Sequence, residues 1–263
     1  MIEFNWYIIL LIIGAGFLAG FINTLAGSGS LITVPLLMFL GLPANIANAT
    51  NRVMIFLTNI VGVSSFRQQK VFKFKDNIWL SVPAIVGAVI GARIAVDINE
   101  QIMTRIIGGL MVFLLFTIIY KPQKWLKEVG QNSESKFSVW QYIVMFFVGL
   151  YGGFIQIGVG VFLLSGLVLT AGFDLIKANA VKLFIIMIYT AFALGVFIYN
   201  GQVNFMAGLL LAAGSTVGSF IASRVAVGWG VKFVRIVLMV VVIVAAIKFL
   251  GIYDFAKDYL GSS

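Results

Sequence analysis

The sequence predicts an all-α integral membrane protein built as two inverted repeats of about five segments each, with a short broken or half-helix in each repeat. Three observations carry this. Of the 263 residues 61% are hydrophobic and only 10% charged, with a mean hydropathy of +1.08, which a water-facing surface does not tolerate. The chain also repeats itself: adding 131 carries Gly27 to Gly158, Gly41 to Gly172, Asn48 to Asn179, Phe66 to Phe197 and Arg93 to Arg224. Finally, basic residues gather in short links between apolar runs, and the links that hold them change side between the two copies.

Residues 1–263 therefore read as a single transmembrane domain, with a first repeat over 6–120, a cytoplasmic linker over 121–137 and a second repeat over 138–252. Runs of about twenty apolar residues, the length that crosses ~30 Å of hydrocarbon as helix, lie at Trp6 to Leu25, Ala44 to Phe66, Ile78 to Val96 and Ile102 to Tyr120. Their counterparts are Val139 to Ile157, Leu175 to Tyr199, Phe205 to Ala226 and Phe233 to Ile252. Between the first two of each set lies a shorter run, Leu31 to Leu40 and Val161 to Ala171. At ~1.5 Å per residue these cover about half the hydrocarbon, so their irregular ends must be buried in protein. Trp6, Trp79, Trp125, Trp140 and Trp229 fall at segment ends, as an interfacial aromatic belt requires. Pro35 and Pro43 read as local breakers.

Arg67, Lys70, Lys73 and Lys75 follow the third segment, and Lys121, Lys124, Lys127 and Lys136 join the halves; both links are expected in the cytoplasm. The link Asn200 to Asn204 is uncharged, whereas Lys232 and Arg235 follow the ninth segment. Ten segments then place all three basic links inside and both termini outside, with the halves inverted. The loop from Asp97 to Arg105 falls outside, its Arg93 and Arg105 offset by Asp97 and Glu100.

No histidine and no cysteine is present, which removes imidazole relays, thiolate metal sites and disulfides. Asp76, Asp97, Asp174, Asp254 and Asp258 lie at segment ends or in loops, so no paired catalytic carboxylates are seen, and the glycine-rich stretches lack the lysine context of a nucleotide cradle. The net charge of +9 sits in membrane links and does not imply nucleic acid. The expectation is a non-enzyme without cofactor or metal. Polar residues and broken helices repeated near mid-membrane are the pattern of a secondary transporter.

The candidate site has two mirrored parts. Gly27, Ser28, Gly29 and Ser30 precede the first short segment, and Gly158, Val159 and Gly160 the second, so backbone N–H groups and positive helix ends face the interior, where an anion is favoured. Asn48 and Arg52 share a helix face four residues apart, and Asn179 and Lys182 three apart. Arg52 and Lys182 lie roughly 10 to 12 Å inside their helices, with no carboxylate at that depth, which makes a ligand anion the expected partner. Asn23, Thr24, Thr50, Asn51 and Gln156 supply neutral donors. Each feature has a plainer reading beside it. Gly-x-Gly also permits close helix packing, and Arg52 and Lys182 can equally snorkel or bond to backbone carbonyls. Arg93 and Arg224 read as snorkelling anchors, and Lys177 as a helix-start pair with Asp174.

The order GFINTLAGSGSLITVP (residues 20–35), LGLPANIANATNR (40–52), a basic loop and VGAVIGARIAV (86–96) resembles the TauE/SafE sulfite-exporter family. In the second half, GFIQIGVG (153–160), ANAVK (178–182) and VGSFIASRVAV (217–227) are similar to that family's second repeat. Ser28 and Ser30 stand where relatives often carry further glycines, and Val159 lies within the second Gly-x-Gly. The resemblance implies a bacterial or archaeal plasma-membrane carrier of sulfite, sulfonates or related sulfur oxyanions. Its partners would be a small anionic substrate and the lipid bilayer, with a homodimer left open. Two other classes stay open: a carrier for a different small solute or metal cation, and a non-transporting membrane subunit.

Overall fold

The computed structural model describes residues 2, 4–71, 74–120, 139–171, 173 and 175–225. They form α1 (Trp6–Ala26), α2 (Ser30–Phe39), α3 (Ala44–Gln68), α4 (Phe74–Asp97) and α5 (Glu100–Tyr120), then α6 (Val139–Phe154), α7 (Val159–Ala171), α8 (Leu175–Tyr199) and α9 (Phe205–Val225). All regular structure among these residues is helical. The expected linker over 121–137 and the segment Phe233 to Ile252 lie outside the described residues.

Four of the helices are long and apolar enough to cross a bilayer: Trp6–Leu25, Ile78–Asp97, Ile176–Tyr199 and Phe205–Arg224. Their outer surfaces are hydrocarbon-like. On α4, Val82, Val86, Ile90 and Ile94 recur every four residues and are exposed, while Leu80, Ala84, Ala88, Ala92 and Ala95 on the other face are buried. Burying small residues and exposing large apolar ones is the arrangement for lipid, where helices associate by close packing and not by hiding greasy side chains from water. Trp6, Trp79 and Trp140 stand exposed at helix ends, in keeping with an interfacial belt. Trp125 and Trp229 fall outside the described residues.

α3, expected as a span from Ala44 to Phe66, carries a very different load. Asn48, Thr50, Asn51, Arg52, Thr58 and Asn59 are all buried within it. Such a helix is stable at membrane depth only when other helices surround its polar groups, and α3 packs against α2, α5, α8 and α9.

The tightest pairings join opposite halves. Gly16 and Gly20 of α1 lie against the backbone of Leu211 and Ser215 in α9, and Gly214 and Gly218 of α9 lie against Ile13 and Phe17 in α1. Contact positions rise together in number, so α1 and α9 run in the same direction. Gly87 and Gly91 of α4 meet Phe146 and Leu150 of α6 in the same manner, and Gly149 and Gly153 meet Ala84 and Ala88. α3 follows α9, since Thr58 pairs with Ser215 and Ser65 with Ser223. α8 runs against α3: Arg52 lies over Phe197 while Gly62 meets Leu183.

Two local expectations need correction. Pro35 does not break a helix but sits inside α2; it forgoes one backbone donor within a short helix whose neighbours are packed around it. The sixth segment was expected to reach Ile157, yet α6 ends at Phe154, and Ile155 to Gly158 form the irregular connection to α7. Gly158, at φ +73°, turns the chain into a left-handed conformation there.

Candidate functional site: two helix breaks held by buried cations

The two Gly-x-Gly breaks touch. Gly27 ends α1 at φ +72°, its N–H donating to the Asn23 carbonyl at 2.8 Å, and its backbone lies so close to Gly160 that a Cβ on either residue would overlap the other's main chain. The glycines thus provide both a left-handed turn and an inter-half backbone contact. Gly29 lies against Ala19 and Asn23, and Gly158 packs on Leu114.

Each break is gripped by a cation from the other half. Arg52 of α3 donates through its two terminal nitrogens to the carbonyls of Gly152 (2.8 Å), Gly153 (2.6 Å) and Phe154 (3.4 Å), the last residues of α6, and to Gln156 Oε1 at 3.1 Å. The guanidinium lies 4.7 Å from the centroid of the Phe197 ring, and its Nε has no hydrogen-bond partner. Lys182 of α8 donates to the carbonyls of Asn23 (3.2 Å) and Thr24 (3.3 Å) near the end of α1, and to Asn179 Oδ1 at 2.7 Å. Both side chains are fully buried. The last carbonyls of a helix lack intrahelical donors and carry about half a negative charge, so a cation there satisfies hydrogen bonds and dipole together.

Arg52 and Lys182 therefore meet backbone carbonyls where a ligand anion was the expected partner. Carbonyl dipoles solvate a charge without neutralising it. Among the described side chains Arg52 and Lys182 are the buried ionisable cations and no carboxylate is buried, so the centre keeps a positive bias. Because α8 runs against α3, with Leu183 beside Gly62, the two cations are about ten residues, or roughly 15 Å, apart along α3. They form two stations joined through the Gly27–Gly160 contact.

The remaining candidates fall in with these. Asn48 Nδ2 donates to the Phe154 carbonyl at 2.9 Å, while its Oδ1 is buried without a partner. Asn51 Nδ2 donates to Ser30 Oγ at 2.9 Å and its Oδ1 accepts from Thr33 Oγ at 2.5 Å, tying the start of α2 to α3. Thr24 shares a hydroxyl bond with Ser219 at 2.7 Å, and Asn23 Nδ2 reaches Asn59 Oδ1 at 3.4 Å. Ser28 is buried at the break. Thr50 lies outside the cluster, accepting from the Asn204 N–H at 2.9 Å. Arg93 is exposed at the rim, Arg224 lies 4.4 Å from the Phe220 ring centroid, and Lys177 lies over the Phe173 ring; Asp174 falls outside the described residues.

Several residues were missed. Tyr189 accepts from Gln156 Nε2 at 3.1 Å and thereby positions the amide that faces Arg52. Phe197, Thr33 and Asn59 are likewise invisible as site residues in a list of apolar or lone polar positions. Ser215, Ser219 and Ser223 did carry a signal, a serine every four residues along α9. They meet Thr58 (2.5 Å), Thr24 (2.7 Å) and Ser65 (2.6 Å). The positions 131 earlier are Ala84, Ala88 and Ala92, all buried, so α9 carries hydroxyls where α4 carries methyl groups.

An all-helical, lipid-facing bundle with two broken helices meeting at a cation-bearing centre is the build of a polytopic membrane transporter. The chain belongs to the TauE/SafE sulfite exporter family, whose model matches residues 12–249. It is 28% identical over 251 residues to a probable membrane transporter protein of Sinorhizobium sp, covering 95% of each chain. It is 29% identical over 238 residues to the probable membrane transporter protein YfcA of Escherichia coli, covering 90% of this chain and 87% of that one. A probable membrane transporter protein of Haemophilus influenzae is 23% identical over 239 residues, covering 91% of this chain and 92% of its own. No solved structure matches the chain.

Proposed function

We propose that the protein is a secondary transporter that exports small sulfur-containing anions, such as sulfite or organosulfonates, across a prokaryotic plasma membrane by alternating access. The observation that carries this reading is the pair of buried cations at two touching helix breaks, unaccompanied by a buried carboxylate among the described residues. An anion entering that centre meets charge already held in place, and its desolvation is offset by groups that need not reorganise. Arg52 Nε, Asn48 and the N-terminal turns of α2 and α7 supply further polar contacts.

The halves are read as inverted, with α1, α3 and α9 running one way and α8, the counterpart of α3, the other, while α6 follows α4 as α1 follows α9; this is supported by the register of their contacts. In that frame the basic links after α3 and after α5 face the cytoplasm. With the inside negative, moving one anionic charge outward gains ~2.3 kcal/mol per 100 mV, so efflux proceeds down the field. The test is counterflow in proteoliposomes with labelled sulfite, taurine-like sulfonates and sulfate under imposed potentials. Efflux of a sulfur oxyanion that quickens with inside-negative voltage is expected. Failure of all of them, alongside movement of a metal cation or neutral solute, refutes the substrate class.

A further inference from the structure

The carbonyls that end α1 and α6 occupy the place where broken-helix transporters hold a coupling cation, because exposed helix-end carbonyls inside a membrane are a ready-made oxygen nest. Here both nests already contain a positive group. Three oxygens, from the Asn23 and Thr24 carbonyls and the Asn179 side chain, converge on Lys182 Nζ at 3.2, 3.3 and 2.7 Å. The Gly152 and Gly153 carbonyls and Gln156 Oε1 converge on the Arg52 guanidinium. We propose that Lys182 and Arg52 are built-in, tethered substitutes for a coupling cation, so that anion transport by this chain runs without Na+ or K+. The proposal rests on the transport reading above for its functional half and on geometry alone for its structural half.

The physical argument is competition. A free monovalent cation gains from the nest the same helix-end dipole and carbonyl contacts that the ammonium gains, but it must be recruited from solution and stripped of water. Lys182 is covalently present, at an effective concentration in the millimolar range or above. Both tethers also come from the opposite half: the cation on α8 holds the end of α1, and the cation on α3 holds the end of α6. A mobile ion would leave each nest empty for part of a cycle; a tethered one keeps the break solvated throughout.

Two arms test this. In detergent, wild type, Lys182→Ala and Lys182→Met are melted in NaCl, KCl and methylammonium chloride against choline chloride at equal ionic strength. Wild type should melt alike in all four. Lys182→Ala, which opens room at the three oxygens, should be raised by several degrees, about 3 to 8 °C, in methylammonium or Na+, whereas Lys182→Met, which fills the space with an apolar chain, should not respond. Stabilisation of wild type by Na+ over choline, or indifference of Lys182→Ala to every cation, overturns the proposal. In proteoliposomes, wild-type efflux in Na+-free and K+-free choline medium should stay within about twofold of its rate in NaCl, and a Na+ or K+ requirement overturns it. If the Lys182 variants cannot be purified, the two wild-type measurements decide. If no sulfur oxyanion moves at all, the transport reading fails while the melting arm still decides whether the nests are filled by the protein's own cations.

Discussion

Replacing Arg52 by methionine removes a charge that the bundle has arranged itself around. The guanidinium makes three good hydrogen bonds, at 2.6 and 2.8 Å to carbonyls and 3.1 Å to Gln156, with a longer approach to Phe154. Hydrogen bonds to charged groups contribute ~1.5–3 kcal/mol each in soluble proteins, which would sum to roughly 5 kcal/mol or more. Two effects reduce that figure. Polar contacts between membrane helices measure only ~0.6 to 1.7 kcal/mol each, and truncation also relieves the desolvation of a buried charge. The balance is a loss of about 2 to 4 kcal/mol, chiefly from carbonyls of α6 left without a donor. At ~2–4 °C per kcal/mol for a chain of this size, melting in mild detergent should fall by roughly 5 to 15 °C. Arg52→Lys should recover part of the loss, since an ammonium reaches fewer of the oxygens. The matched control is Arg93→Met, on an exposed side chain, which should cost little. Were Arg52→Met to melt within about 2 °C of the Arg93 control, the view of Arg52 as the donor that completes α6 would be wrong.

Gly27→Ala should abolish folded, monodisperse protein, because the added carbon both strains a φ of +72° and overlaps Gly160; Gly14→Ala, with open space around it, should express normally, as size-exclusion profiles will report. Asn51→Ala frees Ser30 and Thr33 and should lower stability by about 1 to 3 kcal/mol, with melting as the readout and any transport KM rising. Ser219→Ala and Ser223→Ala recreate the alanines found 131 positions earlier, at Ala88 and Ala92, so each should cost under about 1 kcal/mol and shift melting by no more than ~3 °C. Tyr189→Phe removes the hydroxyl that receives Gln156 and should weaken substrate affinity more than stability, measured as a change in KM at constant protein recovery.

Much of this architecture was legible from the chain. Run length fixes which stretches can cross hydrocarbon, and glycine marks where a helix must stop, so the bounds of α1, α3, α5 and α8 could be placed from local patterns to within two residues. The duplication exposed Arg52 and Lys182 as a pair worth attention, since a charge at membrane depth has few innocent explanations. Even the early end of α6 had a local cue in Gln156, a polar residue inside the expected span, with Gly158 just beyond it.

What each cation touches was not legible. Beside Gln156 and Asn179, the partners of Arg52 lie a hundred residues away and those of Lys182 more than a hundred and fifty, and these are main-chain carbonyls, which every residue possesses. A sequence distinguishes side chains, so it could narrow these cations to a ligand or a carbonyl but not choose between them. Tyr189 and Phe197 read as ordinary apolar helix until the antiparallel crossing of α3 and α8 set them beside Gln156 and Arg52. The sequence by itself determined the solvent, the helices and the positions of their breaks, because those depend on hydropathy and backbone freedom within a few turns. Only the tertiary structure decided that each half stops the other's broken helix with its own buried charge, because that depends on which carbonyls close packing brings within hydrogen-bonding reach of a donor.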